Sequence, residues 1–176
     1  MEEYLDVLDE NGNQTGQALP RSVVHTEGQW HKTAHIWIAN DKDEILLQRR
    51  SYDKDDNPGM LDISVAGHLA AGDDSLHGAV RELSEEIGLN IELDELELIG
   101  TVKRSSESKY VNSNEFQDVY LVKTDKTIDD FTIDKNEVDE IFYVPFSKFK
   151  QMVVDHDQDL LRHDKEYELL LKRLKI

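Results

Sequence analysis

Apolar residues open the chain in a short burst, Tyr4, Leu5, Val7 and Leu8, which runs into the dipeptide Asn11-Gly12. Asn-Gly tolerates the positive φ of a tight reversal, so residues 4–19 are expected to form a β-hairpin. Two β-rich runs follow, Ala34–Asn40 ("AHIWIAN") and Glu44–Arg50 ("EILLQRR"), and the polar link between them predicts a second hairpin. The segment "SYDKDDNPGMLD" is charged and contains Pro58-Gly59, which marks a loop. "ISVAGHL" then returns as a short strand running into Gly67. From Asp74 to Ile87 the apolar set Leu76, Ala79, Val80, Leu83 and Ile87 recurs at helical spacing. Asp73, Asp74 or Ser75 is placed to cap this helix and Gly88 to end it. Downstream, residues 95–104, 115–123 and 140–146 read as strands, and 147–155 and 160–175 as two closing helices. Leu160, Leu161, Leu169, Leu170, Leu171 and Leu174 give the last helix an apolar side that suits cover for the sheet. Strands interleaved with a few helices predict a mixed α/β fold, and 176 residues suit a single domain over 1–176.

The predicted helix carries a conflict. Glu82, Glu85 and Glu86 lie three and four residues apart, so they share one face, and such like-charge neighbours destabilise a helix by roughly 0.2–0.5 kcal/mol per pair. Only Arg81 is near, on a different side. A divalent cation with hard oxygen ligands converts this repulsion into binding, and Mg²⁺ in particular takes a few carboxylates, waters and substrate phosphates. The whole chain sharpens the point, with 38 acidic against 20 basic residues and a formal net charge of −18. That balance argues against a nucleic-acid polymer or an anionic membrane as partner, so a polyanionic ligand must meet bound cations or a local basic cluster. There is no cysteine, which removes disulfides, thiolate metal sites and cysteine nucleophiles. The first residues lack both a basic start and an apolar core, and no run approaches the ~20 apolar residues of a membrane helix, so a cytoplasmic protein is expected.

Gly67, five residues, Asp73, seven residues, then "RELSEEIGL" resembles the Nudix box, G-x5-E-x7-R-E-U-x-E-E-x-G-U with U aliphatic. Gly67, Arg81, Glu82, Leu83, Glu85, Glu86, Gly88 and Leu89 match, and Asp73 replaces the first glutamate with a shorter acid. The resemblance implies an α/β/α sandwich with a mixed central sheet. It implies Mg²⁺ or Mn²⁺ held by Glu82, Glu85, Glu86 and the backbone at Gly67. It further implies hydrolysis of a diphosphate bond, with Glu82 as ligand or base and Arg81 orienting the glutamates.

A second resemblance spans roughly the first three quarters of the chain, through "LDENGNQTG", "RSVVHTEGQWHKTAH", "LLQRRSYDKDDNPGMLDISVAGH" and "NEFQDVY". These segments are similar to the type I isopentenyl-diphosphate isomerase branch of the Nudix fold. That likeness places His25, His31 and His68 at metal-binding positions, keeps Glu115 of a downstream acidic pair, and puts Arg21, Arg50 and Lys54 at the diphosphate. Neutral imidazoles suit zinc or manganese better than magnesium, so a second metal site is implied. Two positions depart from the isomerases: Ala66 stands where they carry a proton-transferring cysteine, and Ser113 replaces the first acid of the pair. Arg49 adjoins Arg50, and since neighbours on a strand point oppositely, Arg50 is expected to face the site. Trp30 could stack on a base, while Trp37, between Ile36 and Ile38, suits core packing, and His35 on the same strand suits a structural place. Glu137 lies before a late strand, where many Nudix enzymes carry a further acid that serves as ligand or base.

The reading that follows is a metal-dependent hydrolase of a nucleoside diphosphate derivative or a small organic diphosphate, acting as a monomer or homodimer. The alternatives are an isopentenyl-diphosphate isomerase, which would need a substitute for the missing thiol, and a non-catalytic nucleotide-sensing module, which would be free to lose the glutamates.

Overall fold

The computed structural model describes residues 2–107 and 112–176. Strands β1 (Tyr4–Leu8) and β2 (Gln14–Pro20) form the expected antiparallel hairpin, with Tyr4 opposite Pro20 and Leu8 opposite Gln14. Gly12 takes φ +86° at the turn, and the Asp9 carboxylate accepts hydrogen bonds from the Asn11 and Asn13 backbone N–H groups. Helix α1 (Arg21–Glu27), which periodicity did not reveal, follows at once. It buries only Val24 and stops at Gly28, whose left-handed φ of 65° lets its N–H reach the Val24 carbonyl.

The second hairpin forms only at its turn, where the Asn40 N–H donates to the Glu44 carbonyl. Strands β3 (Trp30–Ala39) and β4 (Glu44–Arg50) meet only at Ala39 opposite Ile45 and then part. β3 runs parallel to β8 (Asn112–Lys123) from Trp30–Asn114 to Ala39–Lys123, and β4 pairs with β9 (Val138–Pro145). Into the fork between them comes β6 (Val65–His68), antiparallel to β3 from Thr33–His68 to Ile36–Val65, while β5 (Leu61–Asp62) pairs with β4. The reason for the split is hydrogen-bonding capacity. Where β3 and β4 separate, the fully buried Ser64 hydroxyl accepts from the Ile38 N–H at 2.9 Å and donates to the Leu46 carbonyl at 2.6 Å. One side chain thus joins the two strands that no longer reach each other.

Helix α2 (Ser75–Ile87) is capped by the Asp74 carboxylate, which accepts from the Leu76 and His77 N–H groups, and ends at Gly88 with φ 69°. Its Ala79, Leu83 and Ile87 pack on Ala34, Ile36, Ile38 and Leu46, one face of the sheet. The opposite face, at Trp37, Ile45, Leu47, Val119 and Leu121, is covered by α3 (Phe146–Val154) and α4 (Asp164–Leu174) through Phe149, Tyr167 and Leu170. The α/β/α arrangement is therefore present, and the leucines of α4 cover the sheet. α4 starts at Asp164 rather than at residue 160, because Leu61 on the free edge of β5 donates its N–H to the Asp159 carbonyl and accepts from the Leu161 N–H. β7 (Glu97–Glu107) pairs with β8 as far as Glu107 opposite Asn112, so most of the loop expected at 105–114 is strand, and its centre, 108–111, lies outside the described residues. Among the described residues no helix is long and apolar enough to cross a membrane.

Ser64→Ala leaves a buried N–H and a buried carbonyl without partners at the fork. Equilibrium denaturation should show a loss of about 1–3 kcal/mol, against near-neutrality for an exposed serine such as Ser22.

Candidate active site

Below the fork lies a cleft of about 750 Å³. Its floor is the uncovered half of the sheet face that α3 and α4 cover higher up. Along β3 the alternate positions His31, Thr33, His35 and Trp37 point to that face, with Glu115, Gln117 and Leu121 beside them on β8. Trp37 and Leu121 lie under the helices, whereas Thr33, His35, Glu115 and Gln117 line the cleft.

Strand β6 partitions the site. Among the described residues it pairs with no strand but β3, and its successive residues Gly67 and His68 face opposite sides. On the α2 side, a Cβ at Gly67 would stand 2.0 Å from the carboxyl carbon of Glu82, so only glycine admits the carboxylate there. Arg81 gathers the acids around it. Its guanidinium lies 3.2 Å from Glu82, 3.4 Å from Glu85 and 3.5 Å from Asp73, and donates to the His68 carbonyl at 3.1 Å. The shorter Asp73 therefore still reaches Arg81. Glu85 is exposed, but Glu82 and Glu86 are buried. Burial, with the neighbouring Glu85 charge against the relief from Arg81, lifts Glu82 to about 7. Burial and the charges of Glu82 and Glu137 hold Glu86 well above the usual carboxylate range. Two buried acids, one on Arg81 and the other without an ion pair among the described residues, are a hard-oxygen set short of positive charge, which fits a divalent cation.

On the other side of β6, His25 from α1, His31 and His68 converge, with one ring nitrogen of each inside a 4.8 Å span. His25 and His68 Nε2 atoms are 3.1 Å apart. His31 Nδ1 lies 3.0 Å from the Gln29 carbonyl, which fixes its proton there and leaves the buried Nε2 bare, without a hydrogen-bond partner among the described residues. Burial lowers all three histidines, His25 to about 4, so the rings are neutral. Glu115 approaches His31 Nε2 at 4.0 Å. Burial pushes Glu115 up, but His35 and hydrogen bonds from Ser113 and Gln117 outweigh it and keep the acid ionised. Three neutral imidazoles, one aimed by its second nitrogen, and a carboxylate are a fitting set for a transition metal.

Residues 29–164 match the NUDIX domain family model. The chain belongs to the Nudix family. It is 41% identical over 169 residues to Nudix hydrolase 3 of Arabidopsis thaliana, covering 93% of this chain but spanning 22% of the plant protein's length. It is 32% identical to the isopentenyl-diphosphate Delta-isomerase of Pectobacterium atrosepticum over 49% of this chain and 48% of that one. Among solved structures, DR0079 from Deinococcus radiodurans superposes with a TM-score of 0.72 at 20% identity, covering 99% of this chain and all of that one, a likeness of fold.

The basic residues expected at a diphosphate fall around the same cleft. Arg21, 3.3 Å from Glu3, lines it, as do Lys54, which pairs with Glu137, and Arg50, which bonds Asp62 at 3.1 Å and the Asp56 carbonyl. Arg49 turns away to the Gly59 carbonyl and Glu140. Trp30 packs on Phe116 beneath Lys103, and Trp37 is core. Sequence reasoning missed a buried polar network at the foot of α4. His163 Nε2 lies 2.9 Å from Asp62 and its Nδ1 3.3 Å from Glu166, which also meets His35 at 2.6 Å and Trp37 Nε1 at 3.2 Å. The available signal was the i, i+3 pairing of His163 and Glu166 at the start of a helix whose other turns are apolar inward.

Burial pulls His163 down, but the carboxylates of Asp62 and Glu166 outweigh it and raise the ring to about 9, while Asp62 and Glu166 are lowered. Arg104, 3.1 Å from Nδ1, opposes that charge and is outnumbered by the two carboxylates. A raised folded value stabilises fully below the ordinary 6.5 and is lost as pH rises through about 9. Metal-free protein should therefore lose melting temperature between pH 6.5 and 9 in scanning calorimetry, and His163→Gln should flatten that decline. Glu82, raised in the same sense, contributes a loss between 4.5 and about 7, opposed in that range by the lowered His25, His31 and His68, whose contribution grows as pH rises toward 6.5.

Proposed function

We propose that the protein is a metal-dependent hydrolase of the isomerase-like Nudix branch that cleaves the diphosphate bond of a small organic or nucleoside diphosphate. The observation that carries this is the pair of buried carboxylates Glu82 and Glu86 on one helix face, with Glu82 held by Arg81 against the bare backbone of Gly67 and Glu85 on the same arginine. Glu82, Glu85, Glu86 and the Gly67 carbonyl would hold Mg²⁺ or Mn²⁺, and His25, His31, His68 and Glu115 a second, softer ion. Bound there, such an ion neutralises diphosphate charge and acidifies water.

The chain's own groups do the rest. Arg21, Arg50 and Lys54 set positive charge against the diphosphate in an otherwise acidic cleft. Water attacks one phosphorus, its proton passes to a cleft carboxylate, Glu82 or Glu137, and the bridging P–O bond breaks with the electron pair leaving on oxygen. Arg81 acts as a positioning residue, since removing it would let Glu82 and Glu85 swing apart. Ala66 offers no proton donor to a carbon skeleton, which speaks for hydrolysis over isomerisation. The same reading has the protein work in the cytoplasm, as a monomer or homodimer.

Phosphate release from a diphosphate panel with Mg²⁺ or Mn²⁺ should fall at least about 100-fold in Glu82→Gln and Glu86→Gln, with folding retained by circular dichroism. Unchanged release in both variants would overturn the mechanism. The same assay with isopentenyl diphosphate, monitored for dimethylallyl product, separates the isomerase. Calorimetric titration with Mn²⁺ should show two classes of site, one removed by Glu86→Gln and the other by His31→Gln.

A further inference from the structure

We propose that the deep end of the cleft binds a hydroxylated, sugar- or polyol-like group carried by the diphosphate, and disfavours a hydrocarbon chain; this rests on the hydrolase reading for the diphosphate end alone. Among the described residues the cleft lining holds no Phe, Tyr, Trp, Val, Ile or Met, and its carbon-only side chains are Ala66 and Leu161. A hydrocarbon gains about 25 cal/mol for each Å² it buries against apolar surface, and little such surface is here. A base would find no Phe, Tyr or Trp ring on which to stack, only imidazoles already engaged with one another or with carboxylates.

What lies there instead is hydrogen-bonding capacity. Thr33, 3% exposed on the floor, has a buried hydroxyl with no partner among the described residues. Gln117, 1% exposed, stands opposite it on β8, and His35 lies two residues along β3. His163, paired with Asp62 and Glu166, and Arg104, 3.1 Å from its Nδ1, close the far side. The fold does not need polarity at Thr33, whereas His35 and Gln117 also serve Glu166 and Glu115. The same face of the same strand is apolar at Trp37, and a β-branched valine would serve a strand as well as Thr33. A buried hydroxyl left unpaired costs about 1–3 kcal/mol, and a ligand hydroxyl, both donor and acceptor, recovers it where a methylene cannot.

The test uses two non-hydrolysable methylenebisphosphonate esters in the presence of Mg²⁺, one bearing a pentyl and the other a ribosyl group, titrated calorimetrically into the full chain. The ribosyl ester should bind at least about tenfold more tightly, and Thr33→Val should weaken it about tenfold while leaving the pentyl ester unchanged. Equal or tighter binding of the pentyl ester, binding of neither, or equal losses for both in Thr33→Val would overturn the proposal. Phosphate release from 5-phosphoribosyl 1-diphosphate and isopentenyl diphosphate reads the other half independently. Release together with pentyl preference refutes the polar subsite and keeps hydrolysis; ribosyl preference without release of any kind does the reverse.

Discussion

Everything in the molecule that concerns chemistry depends on the parting of β3 and β4, and one buried hydroxyl supplies the hydrogen bonds that the parting strands give up. Ser64 satisfies the Ile38 N–H on one strand and the Leu46 carbonyl on the other where the strands no longer touch. Below it the sheet opens, β6 enters beside β3, and β4 carries Arg50 away with β9. Without the divergence, β3 and β4 would zip into a continuous hairpin, and neither a free edge on β6 nor a cleft would exist. The fork is therefore both a hydrogen-bonding solution and the origin of the site.

The free edge of β6 then organises the charge. Gly67 and His68 are adjacent in sequence and opposite in direction, so a single strand separates an oxygen-rich acidic group from a nitrogen-rich neutral one. Arg81 spans the partition, reaching the acids with its guanidinium and the His68 carbonyl behind them. In a chain of net charge −18, this one arginine sets the spacing of carboxylates that would otherwise repel one another. The repulsion along α2 is tolerable because the helix is anchored by Ala79, Leu83 and Ile87, whose burial at ~1.5–3 kcal/mol each for the larger two exceeds the few tenths lost per like-charge pair.

Legibility in the sequence followed locality. Helix α2 and its acids could be read because cap, apolar spacing and Gly88 all lie within fifteen residues. The α/β/α layers could be read from the order of elements. Helix α1 could not, because seven residues with one buried side chain carry no period. The predicted hairpin extends no further than its turn because β6 takes the edge of β3 along which β4 would have continued, while β8, some eighty residues on, pairs with the other edge over ten residues. The start of α4 was misplaced for a similar reason, since Leu160 and Leu161 are claimed by an edge strand from another part of the chain. The His163 network was invisible because Asp62 and His163 lie a hundred residues apart. Yet β3 did hold a local clue. A central strand covered on both faces should be apolar throughout, and polar His31, Thr33 and His35 at alternate positions betray the half that is not covered.

That alternation also bears on Ala66. It stands opposite His35 in the β3–β6 register, on the floor of the cleft, where the isomerase-like branch would place a thiol. Proton transfer to a hydrocarbon requires two things of this spot, an acid–base group and apolar walls to seat the chain. Here the acid–base group is absent and the walls are Thr33, His35, Gln117 and Arg104. A thiol restored at this position would still face a polar floor, so the replacement of cysteine is not an isolated loss. On the proposed reading, the missing thiol and the polar floor are two parts of one change, in which the carbon skeleton ceases to be the reacting end of the ligand and becomes the end that is recognised.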